Sequence, residues 1–273
     1  MANLPLIIAV APNGARRTRV DHPALPLSAD DLARTARQCG EAGASMIHVH
    51  VRDEKMKHSL NVERYRTATS AIRAAVGPDM IIQITTEAVG AYSCDQQMEV
   101  VRKLKPEAVS LALSELCPVT GDDRRAAAFF NWLQREHISP QYILYSNSDI
   151  QRFQALRQQG IIPGESVSVL YVRGRHDQPH CDPGSPPPPM PGFQDKSIIW
   201  SVCAFGPIEA SDMQSAAELG GHCRVGFENN LNLISGEVAP DNAALVTQTV
   251  ELTSTSNRPI ASPDEARSLL GMA

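Results

Sequence analysis

The sequence predicts an α/β fold, a (β/α)8 barrel that forms a single domain over residues 1–273. Short apolar runs alternate with segments of helical periodicity, a pattern typical of βα units and a parallel sheet. Eight such runs fit into 273 residues, which is a usual size for this barrel. An open doubly wound sheet is disfavoured because it usually has fewer strands and because no GxGxxG motif follows the first run.

The strands are predicted from apolar runs that turn residues or loops bring to an end. The first run is stopped by Pro12, Asn13 and Gly14, residues that favour a turn over a continued strand. In chain order the predicted strands are Leu6–Ala11, Met46–Val51, Met80–Thr85, Ala108–Leu113, Tyr142–Tyr145, Val167–Val172, Ile198–Cys203 and His222–Phe227.

The helices between the strands are predicted from caps and from the spacing of apolar residues. Ser28, followed three residues later by Asp31, resembles a capping box and opens the first helix, which ends by Gly43. The other predicted helices are a segment with one apolar face at Tyr65, Ala68 and Ile72, then Asp95–Leu104, Asp122–Glu136 and Ile150–Gln159, and a last helix opened by Ser262, Pro263 and Glu265.

One connection departs from the pattern. The segment Gly174–Lys196, between the sixth and seventh strands, contains four consecutive prolines at Pro186–Pro189. Each proline lacks an N–H group and clashes with the preceding helical turn, so this segment is predicted to be irregular. It is interpreted as a surface loop, or alternatively as a lid or a contact between subunits.

Composition excludes several classes of protein. Lys and Arg number 25 and Asp and Glu 30, so the net charge of −5 gives no electrostatic reason to expect nucleic acid as a partner. Met1–Val10 lacks a basic signal-peptide start, and no apolar run approaches the roughly 20 residues of a membrane span. The 6 cysteines are scattered without a CxxC motif, as expected for reduced thiols. We therefore expect a cytoplasmic protein without a membrane partner.

The second strand carries the strongest chemical signal. In the run Ile47–Asp53, the strand period of two places His48, His50 and Arg52 on one face. Two imidazoles inside a barrel are costly unless they are paired, and a zinc-like ion pairs them well. The alternative is two structural histidines that are hydrogen-bonded to their neighbours.

A third ligand is expected from the last strand. Arg224, Gly226 and Glu228 share a face there, with Glu228 at the carboxyl end, where barrel enzymes place functional residues. Two histidines and one glutamate leave an open position for a substrate oxygen. An amidohydrolase site is disfavoured because the fifth and sixth strands contain no histidine. Glu228 is alternatively an ordinary acid on an exposed loop.

Loops at the same end supply polar groups for a substrate. The first loop is cationic, which suits a carboxylate or a phosphate, although solvated loop arginines are also common. The candidate substrate-binding residues are Asn13, Gly14, Arg16, Arg52, Thr85, Thr86, Ser110 and Glu115.

Six sequence blocks, spread over nearly the whole chain, resemble those of a known family. They are Ala9–Ala15, Glu41–Arg52, Ile82–Thr86, Lys105–Glu107, Gly220–Asn230 and Ala261–Gly271. Together they are similar to the β-keto acid cleavage enzymes, also named 3-keto-5-aminohexanoate cleavage proteins.

The resemblance implies a metal-dependent acyl transfer. A β-keto acid and acetyl-CoA would give acetoacetate and a new acyl-CoA, with Zn2+ or another divalent transition metal acting as a Lewis acid on the keto group. The implied metal ligands are His48, His50 and Glu228, and the implied catalytic residues are Arg224, Asn229 and Thr85. Thr85 and Thr86 would bind the substrate carboxylate. A homo-oligomer is also implied.

The sequence departs from this family at three acidic positions. Arg16 and Asn229 stand where amine-using members carry a glutamate and an aspartate, and Gln141–Tyr145 lacks the acid of the fifth strand. The catalytic base is therefore open among Glu87, Glu115 and Asp149. The charge of Arg16 predicts a substrate whose distal end is anionic or neutral. The alternatives are a metal-dependent lyase or hydrolase that does not use CoA, and a metabolite-binding barrel without catalysis.

Overall fold

The computed structural model describes residues 4–118, 123–174 and 195–272. Within these residues the strands are β1 (Ile8–Val10), β2 (Met46–Val49), β3 (Val51–Arg52), β4 (His58–Ser59), β5 (Ile81–Thr85), β6 (Ala108–Ala112), β7 (Ser139–Leu144), β8 (Val167–Arg173), β9 (Ile198–Ala204) and β10 (His222–Val225). Eight of them pair in parallel and close a barrel in the ring order β1-β10-β9-β8-β7-β6-β5-β2. The predicted (β/α)8 fold is confirmed.

Helices lie between the barrel strands along the chain. They are α1 (Ala29–Glu41), α2 (Val62–Val76), α3 (Cys94–Leu104), α4 (Leu113–Leu116), α5 (Asp123–Arg135), α6 (Asn147–Gln158), α7 (Glu209–Glu218), α8 (Asn242–Thr253) and α9 (Pro263–Leu269). The capping boxes predicted at Ser28 and Ser262 are both present. None of the helices in the described residues is long and apolar enough to cross a lipid bilayer.

The second predicted strand ends earlier than expected. The run Met46–Val51 leaves the barrel after Val49, and β3 then pairs antiparallel with β4 as a small hairpin. Asp53 organises its turn, since the carboxylate accepts hydrogen bonds from the backbone N–H groups of Lys55 and Lys57 at 2.8 Å each. The hairpin carries His58 back toward the barrel mouth.

The two ends of the chain close the barrel. β1 pairs with β10 in the register Ile8↔Cys223 to Val10↔Val225. Below this seam, the N–H of Leu6 donates to Pro259 O at 2.8 Å, so the segment before α9 also joins the first strand. The seam brings residues from the start and the end of the chain side by side at the carboxyl end of the barrel.

Inward-facing polar side chains form a layer under that end. Gln83 of β5, Gln141 of β7 and Ser168 of β8 are buried. The Gln83 amide donates to Gln141 Oε1 at 3.4 Å, and the Gln141 amide donates to Ser168 Oγ at 3.1 Å. This row supports the site from below. Most of the predicted Pro-rich connection, residues 175–194, lies outside the described residues.

Candidate active site

Three side chains meet at the carboxyl end of the barrel as predicted. His48 is in β2, His50 directly follows it, and Glu228 lies in the loop after β10; their ligand atoms all lie within 4.8 Å of one another. The Nε2 atoms of the two histidines are 3.1 Å apart. Glu228 Oε2 lies 3.3 Å from His50 Nε2 and 3.7 Å from His48 Nε2.

This cluster has the properties of a metal site. Glu228 Oε2 is buried and has no hydrogen-bond partner among the described residues, which a bound cation would satisfy. Burial lowers the pKa of His48 to about 3, so the ring is in the neutral form that binds metals. Burial opposes the charge of Glu228, but Arg224 and the two imidazoles hold its pKa well below the usual range. Two imidazoles and one carboxylate fit zinc.

The outer nitrogen of each histidine is held by another side chain. His48 Nδ1 lies 2.8 Å from Gln83 Oε1, an acceptor, so Nδ1 carries the proton and the lone pair of Nε2 faces the cluster. His50 is held in the same way by His58, whose Nδ1 lies 3.4 Å from His50 Nδ1.

His58 can accept from His50 because its own proton is on the other nitrogen. His58 Nε2 lies 2.9 Å from the backbone O of Glu87, so Nε2 must donate. Burial lowers the pKa of His58 to about 3, which leaves Nδ1 as a bare acceptor. The Nε2 lone pair of His50 then faces Glu228. Sequence reasoning missed His58, because only the hairpin of β3 and β4 reveals that it returns to the site.

Glycine positions allow Glu228 to reach the histidines. Gly226 has φ +132°, and a Cβ there would lie 2.5 Å from Ala11 O. Gly14 has φ +59°, and a Cβ there would lie 2.6 Å from Glu228 Cγ. The backbone N–H of Glu228 also donates to Ala11 O at 3.0 Å. The loop after β10 is therefore packed directly on the loop after β1.

The predicted residues Asn13 and Arg52 hold the first loop in place. The Asn13 amide donates to His50 O at 2.9 Å and to Pro26 O at 3.0 Å. Arg52 is buried, and its guanidinium donates to Gly14 O at 2.5 Å and to Arg17 O at 3.0 Å. The Asn13 amide and the terminal nitrogens of Arg52 are thus already used by the backbone around the site, whereas Arg52 Nε is buried without a hydrogen-bond partner among the described residues. Substrate binding by these two residues stays a prediction.

Above the cluster is a cavity of about 610 Å³. Five of the predicted substrate and catalytic residues line it: Arg16, Thr85, Ser110, Glu115 and Arg224. Ser110 Oγ is buried and has no hydrogen-bond partner among the described residues, so it is available to a substrate. Thr86 stands behind it and donates to Ser110 O at 3.1 Å.

Arg16, Glu87 and Glu115, which line the cavity, each have a hydrogen-bond partner. Arg16 donates to Glu87 Oε1 at 2.8 Å. Glu115 accepts from the Gln97 amide at 2.6 Å and from the N–H of Ala88 at 3.1 Å, and burial raises the pKa of its carboxyl. Glu87 and Glu115 therefore remain as cavity carboxylates outside the metal cluster.

The third candidate for the base, Asp149, has a structural role. Its carboxylate accepts from the N–H of Tyr145 at 2.8 Å at the start of α6. It does not line the described part of the cavity.

Arg224 links Glu228 to its neighbour Asn229. Its guanidinium donates to Glu228 Oε1 at 3.0 Å and to Asn229 Oδ1 at 3.2 Å. Asn229 Nδ2 is buried without a hydrogen-bond partner in the described part of the chain. Arg224 thus balances the negative charge of Glu228 inside the barrel.

Comparison with known proteins gives a family and close relatives. A family model described as beta-keto acid cleavage enzyme matches residues 5–272. A 3-keto-5-aminohexanoate cleavage enzyme of Fusobacterium nucleatum subsp. nucleatum is 31% identical over 98% of this chain and 98% of its own. A 3-oxoadipate:acetyl-CoA acetyltransferase of Cupriavidus necator is 28% identical over 98% of this chain and 95% of its own.

Among solved structures, the apo structure of ObcA is similar in fold. It superimposes with a TM-score of 0.73 at 16% identity, covering 91% of this chain and 66% of the ObcA chain. The present chain thus spans about two thirds of the length of that protein. At this identity the likeness shows the barrel fold alone.

Proposed function

The chain belongs to the beta-keto acid cleavage enzyme family, and on this premise we propose that it transfers an acyl group between a β-keto acid and acetyl-CoA. The products are acetoacetate and a new acyl-CoA. The observation that carries the proposal is the cluster of His48, His50 and Glu228 at the floor of the cavity. Further support comes from relatives of nearly equal length whose names describe cleavage of a keto acid or transfer with acetyl-CoA.

We propose that the resident metal is zinc, held by His48, His50 and Glu228. When bound, it supplies a Lewis acid for the keto group of the substrate. Gln83 and His58 keep the two ring protons on the outer nitrogens, so both inner lone pairs are available. Arg224 keeps Glu228 ionised.

The bonds that change in this acyl transfer define the roles of the residues around the metal cluster. The bond between C2 and C3 of the keto acid breaks, C2 joins the acetyl carbon, and the CoA sulfur passes from the acetyl group to the released acyl group. C2 must therefore lose a proton and carry negative charge. Thr85 and Ser110 line the cavity next to the cluster, and we assign them to the substrate carboxylate.

We propose Glu115 as the group that accepts the proton from C2. It lines the cavity, and burial raises the pKa of its carboxyl, which makes it a stronger base than an ordinary glutamate. Glu87 is the weaker candidate because its carboxylate is already engaged by the Arg16 guanidinium, 2.8 Å away. Asn229 holds Arg224 and does not ionise.

The first test is the metal content of the purified protein, measured by inductively coupled plasma mass spectrometry. We expect near-stoichiometric zinc in the parent and loss of the metal in His48→Ala and Glu228→Ala. The exposed His137, on the turn after α5, provides the control variant His137→Ala, which should keep the metal. A parent protein without metal even after reconstitution would remove the basis of the proposal.

The second part of the test is product analysis with and without acetyl-CoA. Acetoacetate and a new acyl-CoA should form only when both substrates are present. Glu115→Gln should lower kcat by roughly 10²–10⁴-fold, and Glu87→Gln should lower it less. Cleavage without acetyl-CoA would replace the proposal by a lyase or hydrolase, and tight binding without products by a metabolite-binding barrel.

A further inference from the structure

We propose that the keto acid carries an uncharged, apolar chain beyond its keto carbon, and that this chain packs on an apolar wall of the cavity. The wall consists of Ile143, Val172 and Phe205, which line the cavity. Leu170 and Cys203 pack behind them in the same hydrophobic cluster and are fully buried. This inference rests on the proposed function, because it names the substrate class of the same site.

The apolar wall stands across the barrel from the metal cluster. Ile143 is in β7, Val172 is in β8 and Phe205 directly follows β9. In the ring order of the barrel, β8 lies four strands from β2 in either direction. A substrate whose keto and carboxylate oxygens lie at His48, Thr85 and Ser110 can therefore direct its distal chain across the cavity to this wall.

The apolar wall itself carries no charged side chain that could pair with a charged distal group. Arg16 is paired with Glu87, Arg224 with Glu228, and Glu115 is held by Gln97 and Ala88. Both arginines that line the described part of the cavity are therefore paired, and Glu115 is assigned to C2 of the substrate. A substrate ammonium or carboxylate would lose its hydration at the wall without compensation.

Two further features of the chain favour an uncharged distal group. Ile143 faces the cavity from β7, a strand whose residues Gln141–Tyr145 include no acid, and it presents only carbon there. Arg16 was expected to favour an anionic or a neutral substrate, and its pairing with Glu87 favours the neutral one. Each methylene buried on the wall should strengthen binding about fourfold.

The experiment compares three β-keto acids of equal carbon number: 3-oxohexanoate, 3-oxoadipate and 6-amino-3-oxohexanoate. Their distal ends are an alkyl group, a carboxylate and an ammonium. Binding to the zinc-loaded protein is measured by calorimetry without acetyl-CoA, so that no transfer takes place. Acetoacetate formation with acetyl-CoA is then measured for each acid.

We expect 3-oxohexanoate to bind at least about tenfold more tightly than either charged acid. Ile143→Glu should weaken the binding of 3-oxohexanoate and make 6-amino-3-oxohexanoate the preferred ligand. Ser114→Glu is the matched control, because Ser114 lines the same cavity from the side of β6 and is exposed; this variant should keep the parental order.

The outcomes separate this inference from the proposed function. If either charged acid binds as tightly as the alkyl acid, or if none of the three binds, the apolar subsite is refuted. If the acids bind in the expected order but none gives acetoacetate, the subsite stands and the acyl transfer is wrong. If Ile143→Glu fails to fold, the order of affinities measured on the parent protein still tests the apolar subsite.

Discussion

At the scale of single residues, Gly14 shows how a missing side chain makes room for a metal ligand. A Cβ at this position would lie 2.6 Å from Glu228 Cγ, and the backbone has φ +59°. Gly14→Ala should therefore destabilise the fold by about 1 kcal/mol through backbone strain and by about 1–3 kcal/mol more through the collision. Zinc affinity should fall with it, because Glu228 must move.

Gly160→Ala is the matched control for this prediction. Gly160 has φ +72° and open space around its missing Cβ, so alanine there adds backbone strain alone. Free energies of unfolding from denaturant titration, together with zinc affinities from chelator competition, compare the two variants. Equal losses of stability and unchanged zinc affinity in both would show that Gly14 matters only for its backbone.

His58 is the second residue with a testable role. It holds the proton of His50 on Nδ1 without being a ligand itself. His58→Leu should weaken zinc binding by roughly 10–100-fold, as is usual for residues that orient a metal-bound histidine. The readout is the zinc dissociation constant by chelator competition.

Tyr92→Phe is the control for His58. It removes the hydroxyl that donates to His58 O at 3.4 Å but leaves the imidazole in place. This variant should bind zinc like the parent. Unchanged affinity in His58→Leu would mean that His50 needs no partner.

The sequence predicts that the candidate metal ligands come together, but it does not predict the groups that orient them. The strand period of two was sufficient to bring His48 and His50 to one face, and it placed Arg52 with them. The structure diverts Arg52 into the hairpin, where it holds the first loop. His58 and Gln83 act through contacts between distant parts of the chain, and local spacing carries no signal for such contacts.

At the scale of elements, the loop after β10 is held from behind by the start of α7. Glu209 is fully buried there and accepts from the Asn230 amide at 3.0 Å and from the N–H of Gly226 at 3.4 Å. Burial raises the pKa of Glu209 to about 8, so its carboxyl is protonated at neutral pH.

This raised pKa predicts how stability depends on pH. The folded protein keeps a proton on Glu209 that the unfolded chain releases above its ordinary pKa of 4.5. The contribution of Glu209 to the free energy of unfolding is therefore fully present below about pH 4.5, and it is lost as the pH rises toward about 8. Glu209→Gln has no such proton, so its stability relative to the parent should improve with pH by about 1 kcal/mol or more.

Denaturant titrations between pH 5 and 9 measure this difference. The control is Glu251→Gln on an exposed position of α8, whose curve should run parallel to that of the parent. A Glu209→Gln curve that also runs parallel to the parent would show that Glu209 is ionised throughout.

Elements with clear caps or periodicity were predicted well. α2 buries Tyr65, Ala68 and Ile72 as expected, and all eight barrel strands overlap their predicted runs. The hairpin of β3 and β4 was missed because each strand has only two residues. α8 has as many polar as apolar residues, and their order gives no distinct polar face from which a helix could be predicted.

At the scale of the whole molecule, the closed ring predicts one cooperative unit. Because β1 pairs with β10, neither half of the chain has a complete sheet of its own. We expect a single unfolding transition. Trp132 in α5 and Trp200 in β9 report on different parts of the barrel.

Two single-tryptophan variants test this prediction. In Trp132→Phe and in Trp200→Phe, the fluorescence midpoint should coincide with the far-UV circular dichroism midpoint of the same variant. Separate midpoints within either variant would indicate two domains. The homo-oligomer and the cytoplasmic location stay predictions.

The seam between β1 and β10 also bears on how the protein is made. Two of the candidate ligands leave the ribosome early and Glu228 leaves it near the end of synthesis, so the donor set is complete only after the last strand has paired with the first. Before that point, only His48 and His50 of the candidate donor set are in the emerged chain. Uptake of the proposed zinc by all three residues would therefore follow closure of the barrel, and the time at which zinc binds would report when the barrel closes.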